Sequence, residues 1–270
     1  MRLGPTLTTC ILLGLAPVAQ AEAPAAAPSV TVKTHDPVAA RVIGALLTDE
    51  HYWDGAWRRT YTGRSYDEIR MKEVEHGFLP RITGEGGRDV PGDVIAEVIF
   101  QHFDELPAHL APAERALNLG RGHDAHAGAE YSDSWFFLDV PFMYIEFSWR
   151  LYRARTPTGS LLWFEKLTPA IAGAETWSRY QTRIDAARAT VDRKPVFGSI
   201  VEPTEAYGLF IVEPGAVHES RVTFVARVLF GAETGWLASY ASQVAIFLRT
   251  ALAQAFDAAL AISMEHARPE

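Results

Sequence analysis

The spacing of hydrophobic positions changes several times along the chain, and each change marks an element. Val38, Val42, Ile43, Leu46 and Leu47 recur at helical spacing behind Asp36-Pro37, an N-cap followed by proline at the first helical position. They predict a short helix ending near Asp49. The next stretch, His51 to Arg59, is aromatic but irregular and reads as a packed loop. Ile69 to Thr83 is extended in character and interrupted by Gly77 and Pro80, and it predicts a first strand that the glycines of residues 84–87 end. Pro91-Gly92-Asp93 then opens a helix whose apolar face is Val94, Ile95, Val98, Ile99, Phe103 and Leu106, with a stop at Leu106-Pro107.

From Glu114 to Arg155 the period becomes two, broken around Gly120–Gly128. Beyond Pro141 the alternation is clear: Met143, Ile145, Phe147, Trp149 and Leu151 point one way, Tyr144, Glu146, Ser148, Arg150 and Tyr152 the other. This predicts a sheet with one buried and one wet face, with Glu146 on the wet one. A turn at residues 157–159 leads into a returning strand, Ser160–Leu167, as in an antiparallel hairpin. Trp177, Tyr180, Ile184, Ala187 and Val191 return to helical spacing and predict an inserted amphipathic helix over 175–191, which we expect to cover one mouth of any cavity. Strands resume at Val196–Val201, Tyr207–Val212 and Ser220–Phe230. A long helix from about Gly235 to His266 ends the chain, with alanines on its packing side that permit close approach to a sheet.

The N-terminus carries a different signal. The charge of Arg2, an apolar run through Ile11, Leu12, Leu13 and Leu15, and Ala19-Gln20-Ala21 together predict a secretory signal peptide over residues 1–21, cleaved after Ala21. The Ala- and Pro-rich residues 22–35 read as a flexible leader, residues 36–68 as an N-terminal helical extension, and residues 69–266 as the main domain. Cleavage takes 21 of 270 residues, leaving 249, removes the single cysteine, Cys10, and moves the net charge from −8 to −9 through loss of Arg2. A mature chain without cysteine needs an ordinary hydrophobic core, and a periplasmic or secreted location follows from the leader. The acidic balance, without a basic run, excludes nucleic acid as a partner.

Several stretches resemble the START-like (SRPBCC) helix-grip superfamily. Phe103-Asp104-Glu105-Leu106-Pro107 with Ala111-Pro112 is similar to its helix exit, and Asp139-Val140-Pro141-Phe142 to a strand opening on a proline–aromatic pair. Tyr207-Gly208-Leu209-Phe210-Ile211-Val212-Glu213-Pro214 and Ser220-Arg221-Val222-Thr223-Phe224 resemble its last two strands. The resemblance spans roughly residues 69–265. It implies an α+β fold in which a curved antiparallel sheet wraps a long C-terminal helix and encloses a cavity for a hydrophobic guest.

Motifs of covalent chemistry are missing. There is no Gly-x-Ser-x-Gly elbow and no Walker pattern, and Gly120-Arg121-Gly122 lacks the later glycine of a dinucleotide loop. His123-Asp124-Ala125-His126 offers two imidazoles in a glycine-rich loop but not a closed ligand set, so no metal is expected. The acids of Glu73-Val74-Glu75-His76 and Glu202-Pro203-Thr204-Glu205 read as surface groups. What stands out is a supply of aromatics on strand faces: Trp135, Phe137, Phe147, Trp149, Phe164, Phe210 and Phe224. We therefore expect Phe147, Trp149, Phe210 and Phe224 to line a ligand cavity opposite Val244 and Leu248 on the last helix. The reading is a non-catalytic carrier of a lipid or other hydrophobic small molecule, without cofactor, compatible with transient membrane contact. A cyclase- or hydrolase-type enzyme in the same cavity, marked by a buried Glu146 or His218, is one alternative. A structural or partner-binding protein with a filled core is the other.

Overall fold

The computed structural model describes residues 32–60, 66–86, 90–110, 113–140, 143–157, 159–191, 200–216, 219–231 and 241–267. The expected signal peptide, most of the expected leader, His218, Pro141-Phe142 and residues 232–240 lie outside them. Helix α1 (Pro37–Thr48) begins where Asp36 accepts a 2.8 Å bond from the Val38 amide and Pro37 takes the first turn, as its sequence requires. Strands β1 (Trp57–Thr60), β2 (Glu68–Val74) and β3 (Gly77–Glu85) follow, then α2 (Gly92–Gln101), a 3-10 turn at Phe103–Glu105 and the one-turn helix α3 (Leu106–His109). Next come β4 (Ala113–Asp124), β5 (Ala129–Val140), β6 (Met143–Thr156) and β7 (Gly159–Lys166), then α4 (Pro169–Ala172) and α5 (Ala174–Arg188). Strands β8 (Ile200–Val201), β9 (Pro203–Glu213) and β10 (Arg221–Phe230) and helix α6 (Ala241–His266) complete the chain.

The strands form one curved sheet in the order β1-β2-β3-β10-β9-β7-β6-β5-β4, antiparallel throughout, with β8 adding a short parallel pair to β6. The single strand expected over 69–83 is a hairpin. His76 adopts a left-handed φ of 62° in the turn, and Gly77 is needed because a Cβ there would meet the Val228 carbonyl oxygen at 2.1 Å. Pro107 does not end the second helix either. The chain leaves α2 at His102, and Pro107 sits in the first turn of α3, where no amide donor is lost. Among the described residues no helix is long and apolar enough to cross a membrane.

Helices cover both sides of the sheet, which overturns the expectation of one wet face. On the concave side α2 and α6 pack Ile95, Ile99, Phe256 and Leu260 against Ile82, Trp149 and Phe164. On the convex side α1 packs Val42, Ile43 and Leu46 against Tyr152, Trp163 and Leu209, and α5 packs Tyr180 and Ile184 against Trp135, Phe137 and Tyr144. Period two thus holds on β6, but its polar set is buried too. Tyr152 is 0% exposed and Arg150 and Glu146 are each 4% exposed.

Candidate functional site

The concave side holds a partly open cavity of about 270 Å³, just below the roughly 300–1,000 Å³ usual for ligand pockets. Its walls come from seven strands, β2, β3, β5, β6, β7, β9 and β10, and from α2, α3 and α6. Strand parity turns Phe147 and Trp149 of β6, Phe210 of β9 and Phe224 of β10 inward, and Leu248 faces them from α6. Of the candidate lining residues only Val244 is not placed, because its side chain lies outside the described ones. Aromatic rings set the shape of the wall: Phe147 meets Phe136 edge-on at 4.0 Å between centroids, and Phe210 lies 4.7 Å from Phe224.

Two aromatics singled out in the sequence are not in this wall. Trp135 and Phe137 point to the convex side under α5, and Phe136 and Leu138 take the inward positions. The sequence reading missed the far side of the cavity as well. Ile99, His102, Phe103 and Leu106 of the α2–α3 segment line it, as do Phe78 and Ile82 of β3. The apolar periodicity of residues 94–106 was the available signal, since such a face must pack on something.

The wall holds two polar side chains of interest. Trp149 is buried, and its indole N–H has no hydrogen-bond partner; the rings of Phe103 and Phe164 stand 4.6 and 4.8 Å from its own. Among the described residues His102 is the single titratable group in the lining. Its Nδ1 lies 2.7 Å from Glu105 Oε1, and His266 Nε2 at the end of α6 lies 3.1 Å from Glu105 Oε2. Partial burial alone would raise the Glu105 carboxyl, but bonds from His266 and His102 outweigh it and hold it below its ordinary value.

The other candidate acids are elsewhere. Glu146 is buried, contrary to the expectation of a wet position, but it points away from the cavity. It accepts from Trp135 Nε1 at 2.8 Å and from Arg188 Nη2 of α5 at 2.5 Å. Neither Glu73 nor Glu75 lines the cavity; Glu75 sits 3.5 Å from His76. Glu202 and Glu205 face Lys166 and Arg227 in partly exposed pairs. His123 is exposed, while His126 stacks on His35 and its Nε2 lies 3.1 Å from the Thr34 carbonyl oxygen, so the pair does not converge.

The convex layer holds a second polar network. Asp133 is 0% exposed and takes a two-pronged contact from Arg150, with Nε–Oδ1 and Nη2–Oδ2 both at 2.8 Å. Burial raises the Asp133 carboxyl even so. Burial would lower the Arg150 guanidinium, but the Asp133 bonds outweigh it and raise it above its ordinary value. Burial and the neighbouring Glu165 push the Tyr152 phenol up. Glu165 also accepts from the amides of His35 and Asp36 at 2.9 Å each, and Trp163 Nε1 donates to the Lys33 carbonyl. Residues 33–35, the expected end of a flexible leader, are therefore pinned to the sheet together with Asp36.

No protein-family model and no curated protein matches the chain. Solved structures do resemble it. Human STARD10 is 12% identical, with 85% of this chain and 82% of that one covered and a TM-score of 0.51. A STAR-related lipid transfer protein fragment from Xanthomonas axonopodis is 12% identical, covering 80% of this chain and 100% of that one, with a TM-score of 0.49. The Zhui aromatase/cyclase from Streptomyces sp. R1128 is 12% identical, covering 70% and 96%, with a TM-score of 0.42. With its curved antiparallel sheet closed on α6, and with the likeness to STARD10, the chain has the START-like, helix-grip fold.

Proposed function

We propose that this protein is an exported carrier of a lipid or other hydrophobic small molecule, held in the concave cavity without covalent chemistry. The observation that carries the reading is the cavity, whose lining is apolar but for His102 among its titratable groups. Apolar walls reward an apolar guest by roughly 25 cal/mol per Å² buried. Human STARD10 shares the architecture. The buried Glu146 does not favour the enzyme alternative, because its partners are Arg188 and Trp135 on the convex side. Export rests on residues 1–21 and is tested by N-terminal sequencing of protein from the native cell envelope, with Glu22 expected first and Met1 the result that removes it. Binding is tested by lipid mass spectrometry of that protein and by titration with a fluorescent fatty acid. Phe147→Ala and Phe224→Ala are expected to shift the preferred chain length, and Arg227→Ala, paired with Glu205, to leave it alone. No extracted lipid and no probe binding in the wild type would reduce the cavity to a packing feature.

A further inference from the structure

His102, Glu105 and His266 come from two segments far apart in the chain, the exit of α2 and the last turn of α6. Each offers a ligand atom, the three atoms lie within 4.8 Å of one another, and this is the one such group of three among the described residues. The His102 and His266 rings stand 4.1 Å apart between centroids and flank the carboxylate. We propose that these three residues form a site for a divalent transition cation of the zinc type, at the wall of the cavity. Ligand type and spacing both support it. Two imidazoles and a carboxylate are a common set for zinc, with bonds of about 2.0–2.2 Å that put neighbouring ligand atoms roughly 3.3 Å apart in a tetrahedron. Measured to the same oxygen that faces His102, the Glu105 Oε1–His266 Nε2 separation of 3.2 Å is already near that value. The His102–Glu105 separation of 2.7 Å has to open by about 0.6 Å to reach it, a shift within the range of a side-chain rotation.

Three protein ligands leave a fourth position for water or another oxygen donor, the arrangement of an accessible rather than a closed site. His102 belongs both to this group and to the cavity lining, so the cation sits where the apolar wall gives way to polar surface. A cation there would tie the end of α6 to the α2–α3 segment in place of the present hydrogen bonds. The expectation of no metal was drawn from His123 and His126; residues 161 positions apart in sequence meet only in the fold.

The test uses the full-length chain, stripped with a chelator and titrated with zinc chloride alone in a calorimeter, with cobalt as a spectroscopic probe. One cation per chain is expected, with a cobalt spectrum of low coordination number and a higher melting temperature in zinc. His266→Ala and Glu105→Gln should each weaken binding at least tenfold, and His123→Ala should leave it unchanged. His266 is partly exposed at the end of its helix, so its variant remains folded enough to measure, and circular dichroism checks this. Lack of stoichiometric zinc in the wild type, or equal affinity in His266→Ala, would overturn the proposal and leave a hydrogen-bonded clasp. Because the readout is the metal, it stands or falls separately from lipid binding.

Discussion

At the scale of single residues, the buried charges of the convex layer carry the sharpest consequences. Arg150 is held by both oxygens of Asp133, by Asp124 Oδ2 at 3.2 Å and by the Tyr131 ring at 3.9 Å from the guanidinium carbon. Removing it strands a carboxylate with no exposure. Arg150→Ala is therefore expected to cost about 3–5 kcal/mol in urea unfolding, and a loss below about 1 kcal/mol would mean that Asp133 is neutral or hydrated. Asp124 adds a pH dependence. Burial acts to raise its carboxyl, but the bond from His35, the Ala127 amide and the Arg150 charge outweigh it and set the group below its unfolded value. The unfolded chain then binds the proton more readily. This stability is present above the unfolded value of about 3.9 and is lost as the pH falls from there toward the folded one. Asp133, raised by burial, works in the opposite sense. Urea midpoints from pH 6 to 3 should therefore fall less steeply in Asp124→Asn than in the wild type.

Among the elements, β9 shows how one small residue shapes the wall. Gly208 faces Phe164 on β7, and a Cβ there would stand 2.6 Å from that ring and 2.5 Å from the Val225 carbonyl oxygen. Neither neighbour gives way freely, since one is backbone and the other is part of the core. Gly208→Ala is expected to lose about 1–3 kcal/mol through overpacking and to lower fluorescent fatty acid affinity, measured on protein shown to be folded by circular dichroism. Helix α5 departs most from its sequence reading. Its amphipathic face was legible and its span nearly so, but Tyr180 and Ile184 pack on the convex side, and Tyr180 donates to Asp133 at 3.2 Å. It is a buttress behind the sheet and not a cover over a cavity mouth.

For the whole molecule, the sheet is a partition between two layers with separate tasks. In the proposed reading α2, α3 and α6 meet the guest on one side, while α1, α5 and residues 33–36 bolt the other. Hydrogen exchange with and without a bound fatty acid should therefore slow in α2 and α6 and leave α5 unchanged. Equal protection of α5 would tie the two layers together and revive a lid-like role.

Period two on β6, β9 and β10 and helical spacing in α1, α2, α5 and α6 were enough to derive the elements from the chain alone. Parity on those strands also placed Phe147, Trp149, Phe210 and Phe224 on one face, because alternation is a local property of extended backbone. Local pattern does not say what lies against the other face. Glu146 and Arg150 read as wet because polar residues usually are, yet α5 and the sheet supply their partners from 42 and 17 residues away. The phase of β5 was not legible for a related reason: Trp135, Phe136, Phe137 and Leu138 are all apolar, and a strand buried on both sides has no alternation to read. Only tertiary structure brought His102 and Glu105 to His266, since convergence of side chains depends on how elements pack, and that information is spread over the whole chain.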